Sequence, residues 1–225
     1  SNYRIEDGMV LVNALHYQAP WINKFKKENT RSRLFHNMDG TTPVVKMMKA
    51  DFFISYVKAS DATMITLPMG GDKDAPKFSM SFILPEEGTA IKDFVERFTY
   101  GRYAELVQDS KRKLIALSLP KFKVEQGFSL KDVLKKRGMV NPFDQEKAEF
   151  GGVFSKERGI CLSDIKQNVF FEIDEDGAKG AAATHTGMTI IPDLPTELSF
   201  DRPFVYLLTE NATGAVVFVG TVSNM

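Results

Sequence analysis

Residues 175–187 read EDGAKGAAATHTG. In a chain with 18 Phe, these positions hold three glycines, two threonines and three consecutive alanines, and no large apolar side chain. A helix fits poorly, because Gly177, Gly180 and Gly187 would each cost about 1 kcal/mol relative to Ala and no apolar stripe exists to dock it. A flexible linker accounts for small, polar residues, but such linkers favour Ser over Ala and Thr. The neighbours of the run therefore decide how it is read.

Strand signals dominate around it, as alternating or continuously apolar runs at 9–17, 43–51, 52–59, 62–68, 78–85, 113–125, 165–174, 203–209 and 215–222. Several are apolar on both faces, which predicts a deeply buried sheet. Helical patterns are shorter: 89–98 starts at a Thr89 cap, 129–138 runs from a Ser129 cap to a Gly138 stop, and 101–109 is weaker. ENATG (210–214) reads as the turn of an antiparallel hairpin that closes the core, and KRK (111–113) as a solvated turn. The pattern predicts an α+β fold of mixed, multi-strand β-sheets with short helices. Without repeats or Pro-rich linkers, the chain divides only at the small-residue stretch: a body over 1–174, the segment 175–199, and a hairpin over 200–225 of the same domain.

With 225 residues, 43% of them hydrophobic, the chain can bury a substantial core. Its 29 basic and 29 acidic side chains are interspersed, which removes the electrostatic reason to expect nucleic acid or an anionic membrane as partner. No window reaches the roughly 20 apolar residues of a membrane span, and SNYRIEDG lacks the layout of a signal peptide. A single cysteine, Cys161, excludes an internal disulfide without fixing the compartment.

Enzyme readings find little support. His16, His36 and His185 have no metal-ligand spacing, and no phosphate-cradling, dinucleotide-binding or nucleophile-elbow pattern occurs. Cys161 could pair with His185 as nucleophile and base, but GICLSD is the setting of a small buried hydrophobe. Glu172, Asp174, Asp176 and Gly177 imitate the start of a calcium loop, yet the twelfth position is Ala183 instead of Glu and a strand precedes it; solvated acids at a strand end are the simpler reading. No catalytic residue, metal or cofactor is expected.

Six islands, taken together, carry a resemblance. QNVFFEIDEDG (167–177) with AKGAAAT (178–184), LVNALHYQAPW (11–21), LSLPKFKVE (117–125), GMVNPF (138–143), AEFGGV (148–153) and FDRPFVYLLTENATGAVVFVGTVSN (200–224) resemble, in order and spacing, motifs of the serpins, the serine protease inhibitor family. The resemblance spans nearly the whole chain. It departs at the front, where N-terminal helices and some central-sheet strands that should precede residue 3 are missing. The chain thus resembles the C-terminal portion of a serpin, with a bacterial member and an extracellular or periplasmic location as the expectation.

The resemblance implies a suicide inhibitor of serine, or cysteine, endopeptidases. A protease attacks an exposed loop and forms an acyl-enzyme; the cleaved loop then inserts as a new central strand and distorts the protease before deacylation. The hinge of that loop would be Glu175, Gly177, Ala178, Gly180, Ala181, Ala182, Ala183 and Thr184, of which Ala178, Gly180, Ala181, Ala182, Ala183 and Thr184 are small because a strand entering a packed sheet has no room for bulk. Lys179 alternates to solvent if Ala178 and Gly180 point inward. Ala178 stands where the family commonly has Thr or Ser, and Gly180 where Ala is usual; both are still small, which favours an inhibitor over the alternative, a non-inhibitory binding or chaperone module. Asn13 and Gln167 match the family's shutter, and Trp21 its breach.

Counting fifteen residues from Gly177 puts the cleaved bond after Ile191, whereas counting back from Phe200–Phe204 puts it one or two residues later. Pro192 after the cut bond resists most proteases, so Thr189 and Ile190 stay open as alternatives. No Lys or Arg lies between Lys179 and Arg202. The implied target is an elastase-like or subtilisin-like serine protease, or a papain-like cysteine protease, instead of a trypsin-like one. The missing N-terminal portion is a second expected partner, without which the chain should not inhibit.

Overall fold

The computed structural model describes residues 9–16, 19–72, 74–152, 160–178 and 194–225. In chain order the strands are β1 (Met9–His16), β2 (Ala19–Pro20), β3 (Arg31–Leu34), β4 (Val44–Lys58), β5 (Ala62–Asp72), β6 (Ala75–Pro85), β7 (Lys111–Pro120), β8 (Phe122–Ser129), β9 (Leu162–Ile173), β10 (Gly177–Ala178), β11 (Thr196–Ser199), β12 (Phe204–Glu210) and β13 (Val216–Val222). The helices are α1 (Ile91–Arg97), α2 (Tyr100–Asp109) and α3 (Lys131–Lys136). This is the expected α+β fold. The chain forms two compact units, residues 1–17 with 123–171, and 18–122 with 172–225.

The first unit is a sheet in the order β1-β9-β8. β1 and β9 are parallel, running from Met9 opposite Leu162 to His16 opposite Phe170. Ser129 does not cap α3: it ends β8, its hydroxyl donates to Asp164 Oδ1 (2.7 Å), and Leu130 takes the cap position. A β-strand that still needs ladder partners keeps a Ser that local sequence assigns to a helix.

In the second unit, the described residues form an eight-stranded sheet in the order β11-β7-β4-β5-β6-β12-β13, with β3 paired to β4. The two runs 43–51 and 52–59 are one strand, β4, because it serves three partners along its length: β3 opposite 44–47, β7 opposite 47–56 and β5 opposite 55–58. β12 is buried on both faces, as its continuous apolar run predicts, and the hairpin to β13 is antiparallel. Between Asp61 and Ser110, α1 and α2 cover one face through Ile91, Phe94, Tyr103 and Leu106 against Met64, Ile83, Val205 and Leu207. Thr99, not Thr89, makes a cap, accepting from Arg102 N (3.2 Å), while Ala90 precedes α1 without a side-chain cap. KRK is the exposed start of β7 instead of a turn.

The opposite side holds an aromatic cluster. Phe82 packs 6.3 Å from Trp21, 5.8 Å from Phe200 and 6.0 Å from Phe204, ring centroid to ring centroid. Each such buried ring contributes about 1.5–3 kcal/mol, so this cluster fixes Trp21 against the sheet.

Candidate functional site

β9 ends at Ile173, and Glu175 and Asp176 form a two-residue turn. Gly177 N donates to Asp174 O (3.2 Å), Asp174 N donates to Gly177 O (3.3 Å), and Asp176 N donates to Asp174 Oδ1 (2.9 Å). The chain thereby reverses, and Gly177 and Ala178 pair antiparallel with Pro20 and Ala19. Gly177 has φ of 107°, and a Cβ there would lie 2.5 Å from Trp21 N, 2.6 Å from Ala19 O and 2.9 Å from Pro20 C. Only glycine fits, both for its backbone angle and for the closeness of the neighbouring chain.

One short segment holds all three backbone carbonyls of the turn. Trp21 Nε1 donates to Asp174 O (2.9 Å), Phe25 N to Glu175 O (3.1 Å) and Trp21 N to Asp176 O (3.1 Å). The carboxylates are held as well. Glu175, whose side chain is 5% exposed, accepts from Lys121 Nζ (2.6 Å) and Thr30 Oγ1 (2.7 Å). Asp176 is half-buried and lies 3.1 Å from Lys24 Nζ and 3.5 Å from Lys27 Nζ, so it is not a freely solvated acid.

Burial pushes the Glu175 carboxyl up, but the Lys121 ammonium and the Thr30 hydroxyl outweigh it and hold it below its ordinary 4.5. The Lys24 ammonium holds Asp176 below its ordinary 3.8, against a smaller effect of burial. Both groups are more acidic in the folded chain. Their stabilisation is therefore complete above the ordinary values and disappears as pH falls through the lowered ones. Trp21, the sole tryptophan, reports on this turn. Its emission should stay constant from neutral pH to about 5 and change below about pH 4. A Glu175→Gln, Asp176→Asn double variant whose acid titration superimposes on that of the unchanged chain would show that the clamp does not titrate.

Of the predicted residues, Glu175, Gly177 and Ala178 come together with Trp21, which is 2% exposed. Asn13 and Gln167 are in the first unit and face each other directly across the β1–β9 ladder. Gly180, Ala181, Ala182, Ala183, Thr184, His185, Thr189, Ile190, Ile191 and Pro192 lie outside the described residues. Sequence reasoning did not find Thr30, Lys24, Lys27 or the ion pair of Lys121. They stand 54 to 152 positions from their partners, and only Lys121, inside the quoted LSLPKFKVE, carried any signal. Cys161 is buried. Among the described residues no helix is long and apolar enough to cross a membrane.

Comparison with known proteins adds a family. The model described as Serpin (serine protease inhibitor) matches residues 2–225. Serpin B10 of Sorex araneus is 33% identical over 217 residues, covering 94% of this chain and 53% of the relative. Antithrombin-III of Mus musculus is 30% identical over 222 residues, covering 96% and 47%. The native-state structure of a thermophilic serpin, tengpin, superposes with a TM-score of 0.85 at 26% identity, covering all of this chain and 58% of the other. The chain thus spans about half the length of the curated relatives it matches.

Proposed function

Because this chain belongs to the serpin family, we propose that it is the C-terminal portion of an exported suicide inhibitor, which traps an endopeptidase by inserting its cleaved loop between β1 and β9. The register at the hinge carries this reading. Gly177 lies opposite Pro20 on one side and bridges Asp174 on the other, so the first loop residue already has a partner on each flank. Extended without a slip, both ladders put Ala178 beside Ile173, Gly180 beside Phe171, Ala182 beside Val169 and Thr184 beside Gln167. They also bring Thr184 opposite Asn13, the residue that now faces Gln167. Pro20 and Asp174, the two partners of Gly177, are 154 positions apart, as are Asn13 and Gln167, so the two registers agree with the β1–β9 ladder along the whole inserted segment.

Directly opposed residues share a face of the sheet. Phe171 and Ile173 are 0% exposed, so Ala178 and Gly180 would enter beside buried side chains, where only small groups fit, and Ala182 and Thr184 would follow on the same face. Lys179 and His185 would face outward. Each new ladder hydrogen bond contributes about 0.5–1.5 kcal/mol net, and ten such residues with their apolar burial make insertion effectively irreversible. The β1–β9 ladder must open first, which keeps the loop out until cleavage frees it.

Met188 to Ile191 fit the primary pocket of an elastase-like or subtilisin-like serine protease, or of a papain-like cysteine protease. The test is to incubate the full-length parent with a protease panel, follow denaturation-resistant complexes on gels and weigh the loop fragments. A covalent complex with a cut inside 188–193 is expected. A cut only outside that window removes the bait assignment; rapid turnover without a complex favours a non-inhibitory protein.

A further inference from the structure

We infer that Asn211 is an acceptor for an N-linked oligosaccharide, transferred from a polyprenyl diphosphate carrier in a secretory pathway. Among the asparagines of the chain, only Asn211 has Ser or Thr two residues on with no Pro between, in Asn211-Ala212-Thr213. Asn29 is followed by Thr at the wrong position, and Asn141 by Pro. The triplet also sits where a glycan can stay. It forms the turn between β12 and β13, and residues 211–217 are all exposed, so a bulky sugar meets solvent and not core.

The chemistry balances without an oxidant. Asn211 Nδ2 bonds to C1 of the first sugar as the C1–O bond to the diphosphate breaks; the diphosphate leaves with the electron pair, and Nδ2 loses one of its two protons. In the folded chain Nδ2 donates to Pro76 O (2.6 Å) and Oδ1 accepts from Ser79 Oγ (2.7 Å). A glycosylated amide retains one N–H and its carbonyl oxygen, enough for both bonds. Thr213 is occupied too: its hydroxyl donates to Glu210 and accepts from Ala215 N (3.2 Å). Asn211 is thus engaged once the hairpin docks on β6, and Thr213 once its own turn forms. The sugar must be added before docking, and the folded chain is a poor acceptor.

The full chain, fused to a secretion signal and expressed in eukaryotic cells, tests this. An added mass is expected on the peptide holding Asn211, removable by peptide-N-glycosidase, lost in Asn211→Gln and Thr213→Val, and kept in Thr213→Ser. Thr213→Val leaves both side-chain bonds of Asn211 in place, so its reading does not depend on the folding of the Asn211 variant. Secreted chain carrying only unmodified Asn211, or a glycan that survives Asn211→Gln, overturns the assignment. Transfer in vitro to folded chain as fast as to the denatured chain overturns the order of events.

Discussion

Gly177→Ala is expected to lower the melting temperature of the hinge unit by about 6–12 °C, as followed by Trp21 emission, on a penalty of roughly 3 kcal/mol or more. The penalty has two parts. A φ of 107° is strained for any residue with a Cβ, and that Cβ would sit within 3 Å of three backbone atoms of 19–21, none of which is the free end of a side chain. Gly88→Ala separates the parts. Gly88 also has positive φ, 83°, but a Cβ there meets nothing within 4 Å, so it should cost only about 1 kcal/mol. If the two variants melt within a degree or two of each other, the close approach of Pro20 and Trp21 to the hinge is not what requires glycine.

How much of this could be read from the chain depends on which force placed each element. β5, β6 and β12 follow apolar runs because burial decides them; β13 is largely exposed and is held by its ladder with β12, and ENATG marked that hairpin because its turn chemistry is local. β3 escaped notice because RSRL is exposed throughout and has no apolar alternation; it is a strand by virtue of its ladder with 44–47. Likewise TELS (196–199) is held by β7 and not by its own propensity. Ser129 fails as a helix cap because its hydroxyl has a partner in Asp164. At the hinge, Glu175, Gly177 and Trp21 emerged through resemblance to a family, whereas periodicity alone saw only a strand end. Their ion-pair and hydrogen-bond partners were invisible, since no local spacing encodes a contact between Thr30 and Glu175.

Thr184→Arg in the full-length parent should convert the proposed inhibitor into a substrate, while His185→Arg should leave it an inhibitor. The proposed register puts Thr184 between Asn13 and Gln167, on the face that buries Phe171 and Ile173. A guanidinium placed there without a counter-charge costs several kcal/mol. Every 1.4 kcal/mol added to the barrier of insertion slows it about tenfold, so deacylation overtakes trapping and the protease leaves intact. In that register His185, the next residue, would face outward, so the same charge should be solvated there. Placing one charge at adjacent positions holds constant any effect on the encounter with the protease. The quantity to measure is the ratio of covalent complex to cleaved, released inhibitor, with the cut site confirmed by mass in both variants. Equal losses in the two variants would show that charge near the loop matters and register does not; unchanged trapping by Thr184→Arg would place the inserted strand in another register, or outside the sheet altogether.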